Sequence, residues 1–401
     1  MQKKILFIGH DANFAGAQYL LLHLLSYLKG IKTIKTTLLL GSGGGLEDQF
    51  RKVTDLIFWD ESTDNNLPDG YFQKIARVSR LEPFLSGNKN GKPLIYKKIE
   101  AFNPDLIFSN TIANGDILHK LNYLNKPFMI YCHEMEKSIN TYSKPDNLKY
   151  QLSNSAFILT GSKAVLENLV DKHKVPLEKI QVFPSYINCN DMENEYKSVD
   201  KIKVKEGLNI SDKAIIVGGC GLIEWRKGVD IFINTALQVL KTTTKDVHFI
   251  WVGISKKSVE YTHLKYDLDR MGIQNKVHLI ESSVDIIEYT ACFDLFFMSS
   301  REDPYPLVMI EAGLNKIPMV CFDKSGGAVD FVGEEQELIA PYLDTQKAST
   351  ILLDLIEDKG KREEKGKIFY EKAWAHDISV RGPQILDKIL EFELNKEAYL
   401  V

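Results

Sequence analysis

The sequence predicts an α/β protein made of two successive parallel-sheet domains. Short, continuous apolar runs alternate with amphipathic helical patterns along most of the chain, as in parallel sheets covered by helices on both faces. The alternation stops once, in a polar and charged stretch around 185–212, and then resumes. A chain of 401 residues is long enough for two domains that each bury a core.

In the first half the predicted strands are KILFIGH near the start, TTLLL at 36–40, DLIFSN at 105–110, KPFMIYCH at 126–133 and SAFILTGS at 155–162. In the second half they are AIIVGGCG at 214–221, VHFIWVG at 247–253, KVHLIES at 276–282, DLFFMS at 294–299 and IPMVCFD at 317–323. We assign an N-terminal domain to 1–190, a linker to 191–212, a C-terminal domain to 213–370 and a helical tail to 371–401. Ligands of such folds bind at the carboxyl ends of the strands.

Composition narrows the class of protein. The formal net charge of −4 provides no basic field for nucleic acid, so no nucleic-acid partner is expected. The five cysteines lie in apolar runs without a C-x-x-C pair, which predicts buried thiols and neither a disulfide framework nor a zinc site. The first apolar run is too short for a signal peptide, and no run approaches the roughly 18 residues that span a bilayer. We therefore expect a cytoplasmic protein.

The strongest motif is SSREDPYPLVMIEAG, in which a strand runs into a loop with two prolines and a helix begins near Leu307. Asp303 and Glu311 are eight residues apart, so a loop and two helical turns can bring both carboxylates to one rim of a cleft. The free N–H groups of the helix start, at Leu307 and Val308, and that of Tyr305 before them, suit a diphosphate or a sugar hydroxyl. Taken alone, Asp303 could instead cap the helix and Glu311 could be a solvated surface charge.

A second motif, GGCGLIEWRKGVDIFINTA, has a strand that ends in glycines and places Arg226, Lys227 and Gly228 just before an apolar helix. Two cations at a helix start suit phosphate. The glycine spacing does not fit the dinucleotide fingerprint G-x-G-x-x-G. A surface loop with two solvated cations is the alternative.

Three weaker elements follow other strands. Gly16 opens the first long helix, where its N–H could face the same diphosphate, and His133 ends an apolar strand over the expected cleft. Gly326 and Gly327 form an S-G-G turn after a later strand. Each of these has a plain packing alternative.

In their order and spacing these motifs resemble the retaining glycosyltransferases of family four, the group 1 glycosyltransferases. The A-G-A-Q, C-H-E and G-S-K-A-V segments agree in order, so the resemblance covers nearly the whole chain. It implies the GT-B fold, in which two Rossmann-like parallel-sheet domains face each other across a cleft and a C-terminal helix returns to the N-terminal domain.

The resemblance also implies residue roles. Asp303 would hold hydroxyls of the donor sugar, Glu311 the ribose, and Lys227 the donor diphosphate. His133 would lie near the reacting sugar, and Gly16 matches the second glycine of a phosphate-facing loop. The expected catalytic residues are therefore His133, Lys227 and Asp303, and the expected donor-binding residues are Gly16, Arg226, Lys227, Asp303, Tyr305, Leu307, Val308 and Glu311.

The sequence departs from the family pattern at several of these positions. Leu222 stands where the family has an arginine, and we expect Arg226 to replace that charge. Pro304 and Pro306 stand where glycines are usual, which removes two N–H donors and stiffens the loop. Aspartate in place of glutamate at 303 shortens the reach to the sugar by one methylene.

The function implied by the resemblance is retaining, metal-independent transfer of a hexose-type sugar, with no cofactor. The donor would be a nucleotide sugar, with UDP favoured over GDP, and the acceptor a saccharide or lipid-linked saccharide in cell-surface polysaccharide or glycolipid synthesis. Two alternatives stay open: a non-hydrolysing nucleotide-sugar epimerase, and an inert sugar-nucleotide-binding regulator of the same fold. The missing fingerprint argues against an NAD-dependent dehydrogenase.

A basic stretch begins at Tyr71 and predicts an amphipathic helix at its start. It is either a solvated face or a peripheral contact with the anionic inner face of the plasma membrane, where a lipid-linked acceptor would lie. Its cations are Lys74, Arg77, Arg80, Lys89, Lys92, Lys97 and Lys98.

Overall fold

The computed structural model describes residues 2–61, 93–282 and 286–394, with the last three as backbone only. The first sheet has seven strands in the order β3-β2-β1-β4-β5-β6-β7. The pairs from β3 to β5 are parallel. Its strands are β1 Lys3–Gly9, β2 Ile34–Leu40, β3 Asp55–Phe58, β4 Leu106–Ser109, β5 Phe128–Cys132, β6 Phe157–Thr160 and β7 Ile180–Val182.

The second sheet has six parallel strands in the order β10-β9-β8-β11-β12-β13. They are β8 Ile215–Cys220, β9 Val247–Ile254, β10 Val277–Glu281, β11 Leu295–Met298, β12 Met319–Phe322 and β13 Ile339–Ala340. Numbered within this sheet, the order is 3-2-1-4-5-6, that of the doubly wound fold. Successive strands extend the sheet to one side from β8 to β10 and to the other side from β11 to β13, so the strand order reverses between β8 and β11. In such folds ligands bind outside the carboxyl ends of those two strands.

Helices cover the sheets, as the alternating pattern predicts. Within the described residues they span Gly16–Lys29, Glu47–Val53, Leu94–Phe102, Gly115–Lys120, Glu136–Tyr142, Pro145–Asn154, Lys163–Asp171, Cys189–Ser198, Lys201–Gly207, Val229–Thr242, Val259–Met271, Ile286–Thr290, Leu307–Leu314, Gly327–Val332, Thr345–Glu357, Lys359–Trp374 and Ile378–Leu394.

The strands are apolar because both faces of each sheet are covered. Every residue of β9 is buried, and the ring of Phe232 packs against Phe249, Trp251 and Phe297 at centroid distances of 5.1–6.1 Å. Burial at roughly 25 cal/mol per Å² of apolar surface makes such clusters the main stabilising term. All five cysteines are buried and free, which confirms the prediction of unpaired thiols.

The described chain forms two compact units. The first contains residues 2–132 and Ile139–Ile158, and the second contains His133–Ser138 and the chain from Leu159 onward. Two helices, Cys189–Ser198 and Lys201–Gly207, occupy the predicted linker and belong to the second unit. The predicted domain limits, and the return of the last helix to the first domain, remain predictions.

Most of the basic stretch, from Lys74 to Lys92, lies outside the described residues. Lys97 and Lys98 are exposed on the helix Leu94–Phe102, whose Ile95 and Ile99 are buried. None of the helices that the structure describes is both long enough and apolar enough to cross a bilayer.

Candidate functional site

The strand order of the second sheet brings the two strongest motifs together. Strands β8 and β11 are paired. The R-K-G turn (residues 226–228), which follows β8, and the acidic loop (residues 299–306), which follows β11, therefore leave the sheet side by side. The N–H groups of Arg301 and Glu302 donate to the Arg226 carbonyl at 2.7 and 3.3 Å, and Ser299 Oγ donates to the Lys227 carbonyl at 3.2 Å. The turn and the loop therefore form one hydrogen-bonded structure.

Gly228 allows this close approach. Its φ is +69°, and a Cβ there would lie 2.2 Å from the carbonyl oxygen of Ser299. Any other residue would strain the backbone and clash with the neighbouring loop. The glycine after Arg226 and Lys227 thus fixes both cations against the acidic loop and starts the helix Val229–Thr242.

Arg301 connects the same turn and loop, and it was not among the predicted site residues. Its guanidinium makes a bidentate ion pair with Asp230 at 3.0 and 2.7 Å and donates to the Trp225 carbonyl at 2.8 Å. Planar, forked pairing of this kind fixes orientation as well as distance. No local pattern relates Arg301 to Asp230, which is 71 positions away along the chain.

A cluster of charges lies at the centre of the junction. Lys227 Nζ is 2.5 Å from Asp303 Oδ2, and Arg226 Nη1 is 3.7 Å from Asp303 Oδ1. Ser300 Oγ also donates to Asp303 Oδ2, at 3.3 Å. Arg226 makes a further bond of 2.7 Å to Glu224. The Asp303 side chain is only 6% exposed, so the two cations compensate a carboxylate that has lost its water.

The capping alternative for Asp303 is wrong. The N-cap of the helix Leu307–Leu314 is Pro306, and no side chain accepts from its first turn. The Asp303 carboxylate is directed instead to the cations of the R-K-G turn. An acid and a lysine so arranged can hold a sugar hydroxyl and a phosphate oxygen next to each other.

The S-G-G turn holds the backbone of Asp303. The Asp303 N–H donates to the Ser325 carbonyl at 2.8 Å, and the Gly327 N–H donates to the Asp303 carbonyl at 3.0 Å. Gly326 has a φ of +119°, and a Cβ there would come within 2.0 Å of that carbonyl oxygen. The turn therefore holds the backbone of Asp303 in place; whether it also wraps a ligand, as the sequence allows, stays a prediction.

The helix after the acidic loop begins at Leu307, as predicted. The N–H groups of Leu307 and Val308 have no acceptor inside the helix, because the first turn has no preceding carbonyls to use. Tyr305, by contrast, buries its ring, and its hydroxyl lies 3.1 Å from His376 Nε2. The loop thus directs an acid to one side and an aromatic ring into the core.

Glu311 is not a solvated surface charge. It is partly buried on the helix Leu307–Leu314. Burial, with a smaller contribution from the charge of Glu195, raises the pKa of Glu311 to about 7. Burial and the charge of Glu311 together raise the pKa of the Cys220 thiol to about 12. Glu195 belongs to the helix Cys189–Ser198, in the segment that we expected to be only a connection. Its effect on the pKa of Glu311 was therefore not predicted.

The last two predicted residues follow strands of the first sheet, Gly16 after β1 and His133 after β5. Gly16 begins the helix Gly16–Lys29, as expected. His133 follows β5, and its N–H donates to Glu134 Oε2 at 2.8 Å. Gly16 belongs to the first compact unit and His133 to the second, together with Lys227 and Asp303. The roles expected of Gly16 and His133 stay predictions.

Among residues 2–61, 93–282 and 286–394, no three His, Cys, Asp or Glu side chains come together as metal ligands would.

Comparison with known proteins gives a family match for the second half of the chain. Residues 200–372 match the family model described as glycosyl transferases group 1. The chain is 26% identical to an alpha-galactosylglucosyldiacylglycerol synthase of Streptococcus pneumoniae over 192 residues. This aligned segment covers 46% of this chain and 50% of that enzyme. Over 147 residues it is 24% identical to the O-antigen biosynthesis glycosyltransferase WclY of Escherichia coli, 36% of this chain and 38% of that protein. The chain therefore matches half or less of the length of these relatives.

A solved structure matches over almost the whole length. The crystal structure of HepE from Anabaena in complex with UDP and glucose superimposes with a TM-score of 0.75 at 18% identity, covering 97% of this chain and 99% of that one. At this identity the likeness establishes the fold alone, and it confirms the predicted architecture of two parallel-sheet domains.

Proposed function

We infer that this chain, whose residues 200–372 match the family model of the group 1 glycosyltransferases, is itself a glycosyltransferase with the GT-B fold. The matched segment contains the R-K-G turn, the acidic loop and the helix with Glu311. The chain-wide likeness to a GT-B structure extends the inference to the first sheet.

We propose that the donor is a nucleotide sugar, with UDP as the nucleotide. The observation that carries this proposal is the contact of Lys227 and Arg226 with the buried Asp303 at the carboxyl ends of β8 and β11. In a sugar diphosphate the diphosphate and the sugar hydroxyls lie within a few ångströms of each other. One donor molecule could therefore place its diphosphate on the two cations and its sugar hydroxyls on Asp303. The complex of HepE with UDP and glucose supports the same donor chemistry.

We propose a saccharide or lipid-linked saccharide as acceptor. The names of the relatives, a glycolipid synthase and an O-antigen glycosyltransferase, support an acceptor in cell-surface glycolipid or polysaccharide synthesis. Contact of the basic stretch with an anionic membrane, on the cytoplasmic side, would bring such an acceptor to the enzyme.

The proposed mechanism is electrostatic. As the glycosyl bond breaks, negative charge grows on the departing diphosphate, and Lys227 and Arg226 stabilise it without a metal. The N–H groups of Leu307 and Val308, with that of Gly16, would share this charge. The acceptor hydroxyl attacks from the side of the leaving group and gives its proton to the departing phosphate, so the configuration of the sugar is retained. His133 would lie beside the reacting sugar.

Product analysis tests this function against its alternatives. The protein is incubated with labelled UDP-sugars, with and without a lipid and saccharide extract. A transferase releases UDP and forms a labelled glycoside only when acceptor is present. A sugar isomer still bound to UDP would identify an epimerase, and the absence of any product despite nucleotide binding would identify a regulator.

A further inference from the structure

Tyr305 lies in the middle of the acidic loop and turns its side chain into the core. In the segment Asp303-Pro304-Tyr305-Pro306, each proline fixes its own φ and restricts the residue before it. The tyrosine between them is 7% exposed. Asp303 lies two residues before it and Leu307 two residues after it. Whatever fixes Tyr305 therefore fixes the predicted sugar-binding acid and the predicted phosphate-binding N–H groups together.

Tyr305 belongs to a ring of three hydrogen bonds with Ser185 and His376. Tyr305 Oη is 3.1 Å from His376 Nε2, His376 Nδ1 is 2.8 Å from the Ser185 carbonyl oxygen, and Ser185 Oγ is 3.2 Å from the Tyr305 carbonyl oxygen. Ser185 is 3% exposed and His376 is 7% exposed. The three residues come from segments separated by 71 to 191 positions.

Chemistry fixes the direction of every bond in this ring. A carbonyl oxygen only accepts, so His376 Nδ1 carries the hydrogen and Ser185 Oγ donates. Burial lowers the pKa of His376 to about 4, with a smaller effect of Arg381, so the imidazole is neutral at pH 7. In that tautomer Nε2 accepts from the Tyr305 hydroxyl. Each of the three residues thus donates one bond and accepts one, and the two bonds of the imidazole polarise each other.

Both ends of Tyr305 are held by this ring, its carbonyl by Ser185 and its hydroxyl by His376. The two partners are themselves fixed to each other by the backbone: the Ile187 N–H donates to the His376 carbonyl at 3.1 Å, and the Ile378 N–H donates to the Ile187 carbonyl at 2.8 Å. Rings of Tyr305 and Phe331 pack against the imidazole at 5.5 and 5.6 Å. Hydrogen bonds therefore hold Tyr305 at both ends, and ring packing holds its partner His376.

We propose that Ser185, Tyr305 and His376 are positioning residues for glycosyl transfer, which act by holding the acidic loop in its donor-binding geometry. The proposal rests on the proposed function, because the loop carries the donor contacts assigned there. Displacing a catalytic group by about 1 Å can cost up to about 100-fold in rate. We expect a smaller displacement when the ring is opened, and therefore a loss of about tenfold.

The test removes one ring bond at a time with minimal change in shape. Tyr305→Phe and Ser185→Ala are each compared with the parent in turnover of the UDP-sugar that the parent uses. We expect kcat to fall about tenfold in both variants, with donor KM changed less than threefold and with both variants folded at the assay temperature. The double variant should lose little more than either single variant, because one missing bond already opens the ring.

Tyr370→Phe is the matched control. It also removes one tyrosine hydroxyl bond in the same compact unit, that of 2.7 Å to Glu193, but it lies on the helix Lys359–Trp374. It should keep the parent's kcat. Parental kcat in both ring variants, or an equal loss in Tyr370→Phe, would overturn the proposal while leaving the proposed function intact.

A second measurement tests the ring without relying on turnover. Nitrogen-15 NMR of the histidine side chains should show His376 as the neutral Nδ1–H tautomer at pH 7. The Nε2–H tautomer or a charged imidazolium would contradict the bond directions and overturn the ring. A parent protein that neither binds nor turns over nucleotide sugars would instead overturn the proposed function, and the positioning role with it.

Discussion

Glu311→Gln gives the most quantitative test of the proposed ribose contact, because burial already makes the ionised form of the Glu311 carboxyl unfavourable. Burial raises the pKa of this group from its ordinary value of 4.5 to about 7. At 1.36 kcal/mol per unit, keeping this group ionised above pH 7 costs the empty protein about 3 kcal/mol. Ribose hydroxyls that donate to the carboxylate would recover part of that cost, so donor binding should favour the ionised form.

Two pH dependences of opposite sign follow. The folded pKa is raised, so the empty protein binds a proton between pH 4.5 and 7 that the unfolded chain does not. Its stability should therefore fall as pH rises through this window, by up to about 3 kcal/mol. Donor affinity should rise over the same window, by at most tenfold per pH unit below 7, and level off above it. Glu311→Gln should abolish both slopes.

The assay is calorimetric titration with a UDP-sugar between pH 5.5 and 8, since a UDP-sugar lacks the terminal phosphate that titrates near 6 in UDP. At pH 8, Glu311→Gln should weaken donor binding by about 1.5–3 kcal/mol, the range for hydrogen bonds to a charged group. Glu195→Gln is the control: it removes the neighbouring charge, so the midpoint should move to lower pH while affinity at pH 8 is kept. Equal donor affinity of parent and Glu311→Gln at all pH values would refute the ribose assignment.

Three further predictions concern the metal, the second cation and the membrane. If Lys227 and Arg226 supply the charge at the phosphate, as proposed, activity should survive excess EDTA, and a loss that magnesium or manganese restores would contradict this. Arg226→Ala should lower turnover about tenfold or more through loss of one charged partner of the diphosphate, and parental turnover would mark Arg226 as a solvent-facing cation. Replacing Lys74, Arg77 and Arg80 by Gln should weaken binding to anionic vesicles by about 1 kcal/mol per charge, and equal pelleting of parent and variant would favour a solvated face.

Much of the fold was predictable because it depends on the period of apolar residues. Continuous apolar strands and the start of the helix at Leu307 follow from local pattern and chain stiffness. The structure has the predicted strands and this helix start where they were expected, and it adds the short strands β3, β7 and β13, which were not predicted. The group 1 glycosyltransferase resemblance, inferred from the spacing of the motifs, is confirmed by the family match over residues 200–372.

The contacts that complete the site could not be predicted, because they join residues far apart in the chain. The pair of Lys227 and Asp303 spans 76 positions, and only the strand order that places β8 beside β11 brings them together. The influence of Glu195 on Glu311 comes from a polar helix whose composition is typical of a connection. In Tyr305 the sequence drew attention to the backbone N–H, whereas the buried hydroxyl bond to His376 has no local signal.

Turnover by Lys227→Ala tests the central claim most directly, namely that the R-K-G turn and the acidic loop form the donor site. The measurement is the rate of UDP release from a UDP-sugar in the presence of acceptor, for a variant whose melting temperature without ligand matches the parent's. The loss of a group that stabilises charge in the transition state should cost about 2.7–4 kcal/mol in turnover, or roughly 100- to 1000-fold, with a smaller effect on donor affinity. A folded Lys227→Ala that releases UDP at the parent's rate would contradict the phosphate assignment, and with it the donor site proposed for this junction.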